Sequence, residues 1–280
     1  MVIYKTEFKI NANIKNMKVM DKETKFAHLG KPGSVFSMGF ARRLDLIESK
    51  IDLKNKIILD MGCGEGVWLR EFAKVSTPGN VYGSEYDNEQ VILLHKTLTE
   101  ATEEQRKSDK FLQIPLNNIK NCPGENLDFK DNFFDVVFHN EVLEHVQDDL
   151  QTLKECLRVI DNDGYMVFFT PNRGWPFETH GMFLNGKYFW GNIPFLPWLP
   201  KSIYKKFAPH VRNYSNGDIK RLITESGGRI VYHSHVFSGF DGLVRKFGFV
   251  GKLIQSFFHA IEKTPLHFFG ISHFVIVEKA

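Results

Sequence analysis

The stretch that decides the fold is Ile57-Ile58-Leu59-Asp60-Met61-Gly62-Cys63-Gly64-Glu65-Gly66. An apolar run of this length that ends at glycine is typical of a parallel strand buried on both faces. Glycines at alternate positions let the backbone turn sharply and approach a ligand closely. At the end of the strand, the carboxylate of Asp60 can accept hydrogen bonds from a ligand amine or from loop N–H groups. The stretch therefore predicts a strand, a ligand-binding turn and then a helix.

Two phosphate-binding patterns fail at this turn. The dinucleotide pattern Gly-x-Gly-x-x-Gly would place its third glycine at position 67, which is Val67. A P-loop requires a lysine after its glycines, and none follows here. The pattern present, Asp-x-Gly-x-Gly-x-Gly, resembles the first motif of the class I S-adenosylmethionine-dependent methyltransferases. That resemblance implies S-adenosylmethionine as cofactor, and a turn that binds nothing is the alternative. The residues implied to surround the methionine part of the cofactor are Asp60, Gly62, Cys63 and Gly64.

A second acidic residue follows at the spacing expected for ribose recognition. Residues 80–84 predict a second strand that ends at Glu85. A carboxylate at a strand end, about twenty residues beyond a glycine turn, can accept both ribose hydroxyls. In the methyltransferase resemblance Glu85 takes this position, with Tyr86 beside it. Asp87 is the second candidate, and a solvent-facing glutamate is the alternative.

The adenine site is expected in residues 123–129. Their sequence, Pro-Gly-Glu-Asn-Leu-Asp-Phe, resembles the Asp-Ala-Glu-x-Leu-Pro-Phe stretch of small-molecule methyltransferases. Because Pro123 replaces the leading aspartate, Glu125, Asn126 or backbone groups would have to contact the adenine. Asn140 ends the predicted fourth strand, at the same sheet edge as the glycine turn, and completes the set of expected cofactor contacts.

The alternation of predicted strands and helices indicates an α/β fold. We expect a Rossmann-like, doubly wound sheet of seven mostly parallel strands, with a third strand at 111–114. The resemblance implies an antiparallel last strand at the edge of the sheet. Residues 1–36 are expected to form an N-terminal lead, and residues 37–280 the methyltransferase domain. Two inserts interrupt the domain, an aromatic-rich insert or lid at about 174–214 and an amphipathic insert at about 238–265.

A possible metal site follows the fourth strand. Glu141, Glu144 and His145 stand at i, i+3 and i+4, so they would share one face of a helical turn. Two carboxylates and one imidazole are compatible with an oxygen-rich divalent site, for example for Mg²⁺. The stretch resembles one in ubiquinone-pathway and small-RNA 2′-O-methyltransferases, where such residues hold a metal near the acceptor hydroxyl. The second histidine of the RNA enzymes is absent here, and a loop-packing role is the alternative.

Candidate bases follow the fifth strand. When the methyl acceptor is a hydroxyl, a side chain that removes its proton assists the displacement. Glu178 and His180 lie in the region where this fold commonly places acceptor groups, and His145 is a third candidate. A hydrogen-bonded surface role is the alternative for His180.

The two inserts are rich in aromatic residues. Residues 188–200 contain too many prolines for a long helix or a central strand. They predict an apolar lid that keeps water from the reaction, a core-filling loop, or a surface that dips into a membrane interface. In residues 238–265 apolar side chains recur at helical spacing. This pattern predicts an amphipathic helix, broken at Gly248 and Gly251, that packs on the lid or binds a membrane or a partner.

Composition narrows the function. The net charge of +3 is too small to indicate nucleic-acid binding. Three dispersed cysteines, no signal peptide and no apolar run of membrane-spanning length favour a cytoplasmic protein, with peripheral membrane contact as an option. We expect methyl transfer from S-adenosylmethionine to an oxygen of a small-molecule, lipid-like or glycan acceptor. The alternatives are methylation of RNA or protein, and a catalytically idle cofactor-binding or membrane-associated module.

Overall fold

Seven strands form one sheet at the centre of a computed structural model that describes residues 37–280. The expected lead, residues 1–36, lies outside the described residues. The strands in chain order are β1 Ile58–Met61, β2 Val81–Glu85, β3 Ile119–Asn121, β4 Phe134–Asn140, β5 Ile160–Pro171, β6 Phe177–Glu178, β7 Met182–Leu184, β8 Lys187–Phe189, β9 Ile193–Pro194, β10 Gly228–Val236 and β11 Ser272–Lys279. In the seven-stranded sheet they lie in the order β10-β11-β5-β4-β1-β2-β3.

Helices connect the strands and cover both faces of the sheet. Consecutive residues of β1, Ile58 and Leu59, belong to two different apolar cores. Neighbouring strand residues point to opposite faces, so the sheet is doubly wound as predicted. The helices are α1 Ser37–Glu48, α2 Val67–Val75, α3 Asn88–Glu100, α4 Glu103–Ser108, α5 Asp149–Val159, α6 Lys201–Phe207, α7 Asn216–Ser226 and α8 Asp241–Ile261.

Strands β1 to β5 run parallel, and β11 runs antiparallel to both β5 and β10. The antiparallel last strand is therefore confirmed. Its expected place at the sheet edge is wrong, because β11 lies between β5 and β10 and the edge strand is β10. An interior position gives β11 hydrogen-bond partners on both sides, and its residues from Ser272 to Val277 are buried.

The third strand was predicted in the wrong place. Residues Lys110–Gln113 form a 3₁₀ helix, whose first turn is capped by the Asp109 side chain accepting from Phe111 N at 3.1 Å. The buried ring of Phe111 packs against the glycine turn, where a Cβ at Gly66 would lie 2.8 Å from it. The actual β3 pairs over only three residues, which is too short to give a periodic signal.

The aromatic-rich insert, residues 174–214, is a separate layer with a small core of its own. Strand β6 pairs with β9 and β7 pairs with β8, both antiparallel. The insert leaves and rejoins the sheet at one point, where Asn172 and Tyr214 form an isolated bridge. Arg173 fixes it further by donating to the carbonyls of Pro197 and Leu199 at 3.1 and 2.9 Å. The core residues of the insert are Leu196, Tyr204, Ala208 and Val211.

Helix α8 is kinked at Gly248, where φ is 52° and ψ is −119°. Gly251 packs against the backbone of Leu243, so only the first of the two predicted breaks interrupts the helix. Five apolar side chains of α8 face solvent, since Phe249 is 74% exposed and four others exceed half exposure. Within residues 37–280, no helix combines the length and apolar character required to cross a bilayer. The four other apolar side chains of α8 that are more than half exposed are Phe247, Val250, Leu253 and Phe257.

Candidate active site

The glycine turn after β1 has the backbone conformation that its sequence predicts. Gly62 N and Cys63 N donate to the Ser84 carbonyl at 2.8 and 3.0 Å, which ties the turn to β2. Gly62 and Gly64 have φ angles of 77° and 52°. A Cβ at Gly62 would lie 2.6 Å from a methyl group of Val142. Both the left-handed backbone and the close contact therefore require glycine at this position.

Asp60 places an unsatisfied oxygen under this turn. The residue is 1% exposed, and its Oδ2 has no hydrogen-bond partner among the described residues. Burial, together with the negative charge of Glu85, raises the pKa of Asp60 well above its usual value. A buried polar oxygen without a partner is costly unless a ligand satisfies it. Its place beside the glycine turn fits a positively charged ligand amine.

Glu85 is held rigidly at the end of β2. Its Oε2 accepts from Gly64 N at 2.9 Å, and its Oε1 accepts from Asp87 N at 2.8 Å. Each carboxylate oxygen retains a second lone pair, which suits a pair of vicinal hydroxyls. Asn121 donates to the carbonyls of Glu85 and the exposed Tyr86 at 2.8 and 3.1 Å. The structure thus brings the predicted methionine and ribose contacts together at the ends of β1 and β2.

Of the two predicted adenine contacts, the Glu125 side chain is occupied by hydrogen bonds within the protein, whereas the Asn126 side chain is exposed. Glu125 Oε1 accepts from Gln147 N and Asp148 N at 2.7 and 3.1 Å, so this side chain holds the segment that leads into α5. Asn126 is exposed, and its backbone N–H closes a turn on the Pro123 carbonyl at 3.1 Å. The side chain of Asn126 and the backbone are therefore better placed than Glu125 for the predicted adenine contact.

The residues after β4 form a turn and not a helix, so the shared helical face predicted for Glu141, Glu144 and His145 is wrong. Glu141 has a left-handed φ of 55°, which reverses the chain directly after the strand. Its Oε1 accepts from Arg43 at 3.0 Å and from Ser272 at 2.6 Å. Burial alone would raise the pKa of Glu141, but Arg43 and Ser272 outweigh burial and hold the pKa below its usual value.

Arg43 links this turn to α1. It also donates to the Asn140 side-chain oxygen. Asn140 and Glu141 are thereby fixed to the first helix of the described chain, and Asn140 stays at the same sheet edge as the glycine turn.

Glu144, His145 and His180 converge beside the turn. Glu144 is 1% exposed, and its Oε2 accepts from Thr170 at 3.1 Å. Its Oε1 has no hydrogen-bond partner among the described residues and lies 3.9 Å from Nε2 of both histidines. Burial and the charge of Glu141 raise the pKa of Glu144 well above its usual value. One ligand atom of each of these three residues lies within 4.8 Å of the other two.

Glu178 orients His180 from within the insert. Glu178 is 3% exposed, and its Oε1 accepts from Nδ1 and from the backbone N of His180, each at 2.9 Å. Its Oε2 accepts from the Tyr204 hydroxyl at 2.6 Å. Burial would raise the pKa of Glu178, but its hydrogen bonds to His180 and Tyr204 outweigh burial and lower it. With Nδ1 donating to a carboxylate, Nε2 of His180 carries the lone pair.

Several residues of this site were not among the predicted site residues. Arg43, Thr170, Tyr204 and Ser272 contact Glu141, Glu144 or Glu178 from elements far away along the chain. The contacts of Arg43 with Glu141 and with Ser272 span 98 and 229 residues. No local pattern marks such residues. Only the position of Thr170 near the carboxyl end of β5 offered a signal, since ligand sites lie at such ends.

Comparison with known proteins finds methyltransferases among both the sequence relatives and the solved structures. Residues 59–168 match a family described as a methyltransferase domain. The chain is 36% identical over 115 residues to an uncharacterized methyltransferase of Schizosaccharomyces pombe, covering 40% of the chain and 39% of the relative. It is 33% identical over 136 residues to the ubiquinone biosynthesis O-methyltransferase of Actinobacillus pleuropneumoniae, covering 47% and 53%. The chain thus spans about half, or less, of the length of these relatives.

Solved structures share the fold. An S-adenosylmethionine-dependent methyltransferase from Mesorhizobium loti superposes with a TM-score of 0.53 at 15% identity, over 85% of this chain and 98% of that one. At this identity the similarity concerns the fold alone. Because that superposition covers most of both chains, the shared architecture extends beyond the family match.

Proposed function

This chain belongs to the class I S-adenosylmethionine-dependent methyltransferase superfamily, and from that membership we propose that it methylates a hydroxyl oxygen of an apolar small molecule. The observation that carries this proposal is the group of the buried Glu144 and the partly buried His145 and His180 beside the glycine turn. An oxygen nucleophile gains from a positioned base, and His180 is held by a buried carboxylate. The ubiquinone biosynthesis O-methyltransferases that match part of the chain support a small-molecule acceptor.

The cofactor residues fit the methyl donor. Asp60 Oδ2 would accept from its amino group, and Glu85 would accept from its ribose hydroxyls. Gly62 and Gly64 let the backbone approach it, with Cys63 between them. Adenine would lie against the 123–129 segment, and Asn140 closes the same edge. When bound, S-adenosylmethionine supplies a methyl group on a positively charged sulfur.

His180 is proposed as the base. Its Nε2 would take the proton from the acceptor hydroxyl while the oxygen–methyl bond forms and the sulfur–methyl bond breaks. The anionic Glu178 stabilises the resulting imidazolium and fixes its tautomer, and the hydroxyl of Tyr204 holds Glu178 in place. His145, whose ring lies edge-on to that of His180 with centroids 5.2 Å apart, is proposed to position it. The insert excludes water from this group.

The same group does not fit Mg²⁺. This ion prefers six oxygen ligands in octahedral geometry, whereas the three residues offer one carboxylate and two imidazoles. The second expected carboxylate, Glu141, already accepts hydrogen bonds from Arg43 and Ser272. We therefore assign proton removal to His180 without a magnesium step.

A pair of matched acceptors tests this function. With labelled S-adenosylmethionine, an alkyl catechol should be methylated and the alkylaniline of equal chain length should not. Activity should survive excess EDTA. Transfer to the amine alone would contradict oxygen methylation, and activity lost with EDTA and restored by Mg²⁺ would contradict the base mechanism. Label found in added RNA or protein would support the alternatives instead.

We further propose that α8 rests on an anionic lipid surface. Phe249, Val250 and Phe257 expose their side chains to solvent, and the exposed Lys246 and Lys252 lie on the same helix. Aromatic side chains combined with lysines match the interface of a bilayer that carries negative headgroups. An apolar acceptor dissolved in that bilayer would then lie near the insert.

Vesicle sedimentation tests the lipid contact. The protein should bind vesicles with 30% phosphatidylserine more tightly than pure phosphatidylcholine vesicles, at about 1 kcal/mol per lysine near the surface. Phe249→Asp should release it, whereas Ile92→Asp, an equally apolar exposed site on α3, should not. Equal binding of both variants, or no binding by the unmodified protein, would remove α8 from this role.

A further inference from the structure

Four histidines lie together on the side of the sheet formed by β10 and β11. His233 and His235 alternate on β10, so both side chains project from the same face. His273 on β11 is paired in register with His235. His267 belongs to the 3₁₀ helix Pro265–Phe269, which precedes β11. We call these four residues the histidine cluster. It shares no residue with the candidate active site.

Three of the four histidines offer nitrogens close enough together for a single metal ion, and the fourth, His267, contacts one of those three. His233 Nε2 lies 2.9 Å from His273 Nδ1, and His235 Nδ1 lies 3.2 Å from His267 Nδ1. One nitrogen from each of His233, His235 and His273 lies within 4.8 Å of the other two. Nitrogens bound at about 2.0–2.1 Å to one tetrahedral zinc ion are roughly 3.3 Å apart. The two hydrogen-bonded pairs therefore lie within a few tenths of an ångström of this spacing, whereas the wider separations, of up to 4.8 Å, would have to contract around a bound ion.

Surrounding residues turn the correct nitrogens inward. His273 Nε2 lies 2.8 Å from the Tyr214 carbonyl, which can only accept, so Nε2 carries the proton and Nδ1 the lone pair. His235 Nε2 lies 2.8 Å from the Asn216 side-chain oxygen, with the same consequence. Such partners on the outer nitrogen are typical of metal-binding histidines, since they fix the tautomer and the ring orientation.

The two central imidazoles are shielded from solvent, since His235 is 4% exposed and His273 is fully buried. His233 and His267 are only half-buried, which leaves a route for an ion to enter.

The position of the cluster indicates what a bound ion would do. Two of its histidines precede α8 along the chain and two follow it. A bound ion would therefore link the two ends of the segment that contains α8. The Tyr214 carbonyl that holds His273 also accepts from Arg173 N at 2.9 Å, at the point where the insert rejoins the sheet. We propose that His233, His235, His267 and His273 form a structural zinc site that fixes the base of α8 next to the anchor of the insert.

Without metal, two imidazole–imidazole hydrogen bonds would satisfy the same nitrogens, and binding experiments distinguish these states. Protein stripped with a chelator and dialysed should take up one Zn²⁺ at the cluster. Co²⁺ should give the intense visible absorption of a tetrahedral site. At a hundredfold excess of Zn²⁺ over its Kd, the Tm should rise by about 5 °C.

Variants locate the ion. His233→Gln combined with His267→Gln alters only the half-buried histidines, and it should weaken Zn²⁺ binding at least about 100-fold. Asn216→Ala leaves all four histidines in place but removes the hydrogen bond to His235 Nε2. It should weaken Zn²⁺ binding about 10- to 100-fold. His95→Gln on α3 is the matched control for loss of a histidine, and His145→Gln tests the other candidate group. Both should retain the cluster zinc and its Co²⁺ spectrum.

Two outcomes would overturn the zinc site. The first is that folded, unmodified protein takes up no Zn²⁺. The cluster would then consist only of two hydrogen-bonded histidine pairs. The other is Zn²⁺ that persists in the double variant and disappears in His145→Gln. Circular dichroism of each variant without metal shows that it is folded before its affinity is compared.

Discussion

His180→Ala is expected to lower kcat about 100- to 10,000-fold, the range typical of a lost general base. The physical reason is that Glu178 holds Nδ1 of His180, which leaves Nε2 as an oriented proton acceptor 3.9 Å from Glu144 Oε1. Affinity for S-adenosylmethionine should stay within about threefold, because the glycine turn and Glu85 lie on other elements. Single-turnover rates and cofactor titration measure the two quantities separately.

The variants around His180 refine this expectation. Glu178→Gln keeps the shape of the side chain but removes the charge that stabilises the imidazolium, so most of the rate should be lost. Tyr204→Phe removes only one hydrogen bond to Glu178 and should cost about tenfold or less. If His180→Ala turns over at the normal rate, the base assignment fails, whatever the fate of the cofactor site.

The second large effect is expected at the cofactor. Glu85→Ala should weaken S-adenosylhomocysteine binding about 100-fold, because two hydrogen bonds from ribose hydroxyls to a charged group are lost at about 1.5–3 kcal/mol each, partly compensated by water. Asp60→Asn should weaken it about tenfold, since an amide keeps an acceptor but not the charge. Isothermal titration calorimetry measures both.

Glu65→Ala is the matched control, since Glu65 lies in the same turn but is exposed to solvent. It should bind S-adenosylhomocysteine like the unmodified protein. Normal affinity of Glu85→Ala would remove Glu85 from the ribose site. If the unmodified protein released no heat at high ligand concentration, the cofactor assignment itself would fail, and the catalytically idle alternative would stand.

Features that depend on neighbouring residues were predictable from the sequence. The strand and turn around Asp60 follow from an apolar run and three glycines, and the structure has them at β1 and α2. The start of α7 follows from Ser215 with Asp218 three residues on, and both side chains form the reciprocal capping box. In each case the residues that decide the structure lie within one turn of one another.

Features decided by distant residues were not predictable. Glu141 was expected on a helical face, but it lies in a turn and its Oε1 is occupied by hydrogen bonds from Arg43 and Ser272. The imidazole missing after His145 is supplied by His180 from the insert, 35 positions later. Such arrangements depend on how elements pack, which hydrophobic periodicity does not encode.

The histidine cluster lies between these cases. His233 and His235 alternate along a strand, which is a local signal that was overlooked. Their partner, His273, becomes visible only when the antiparallel register of β10 and β11 is known. A period of two in histidine spacing within a predicted strand is therefore a pattern worth testing in related sequences.

The bridge between Asn172 and Tyr214 has an evolutionary consequence. The insert leaves the sheet and returns to it at one place, so its two ends are held next to each other. Doubling the length of such a loop costs only about 0.6 kcal/mol. The insert can thus be replaced or lengthened at little cost to the stability of the sheet. If the insert lines the acceptor pocket, as proposed, new pockets can arise beside an unchanged cofactor site, provided that each replacement again supplies a buried carboxylate and an imidazole facing Glu144.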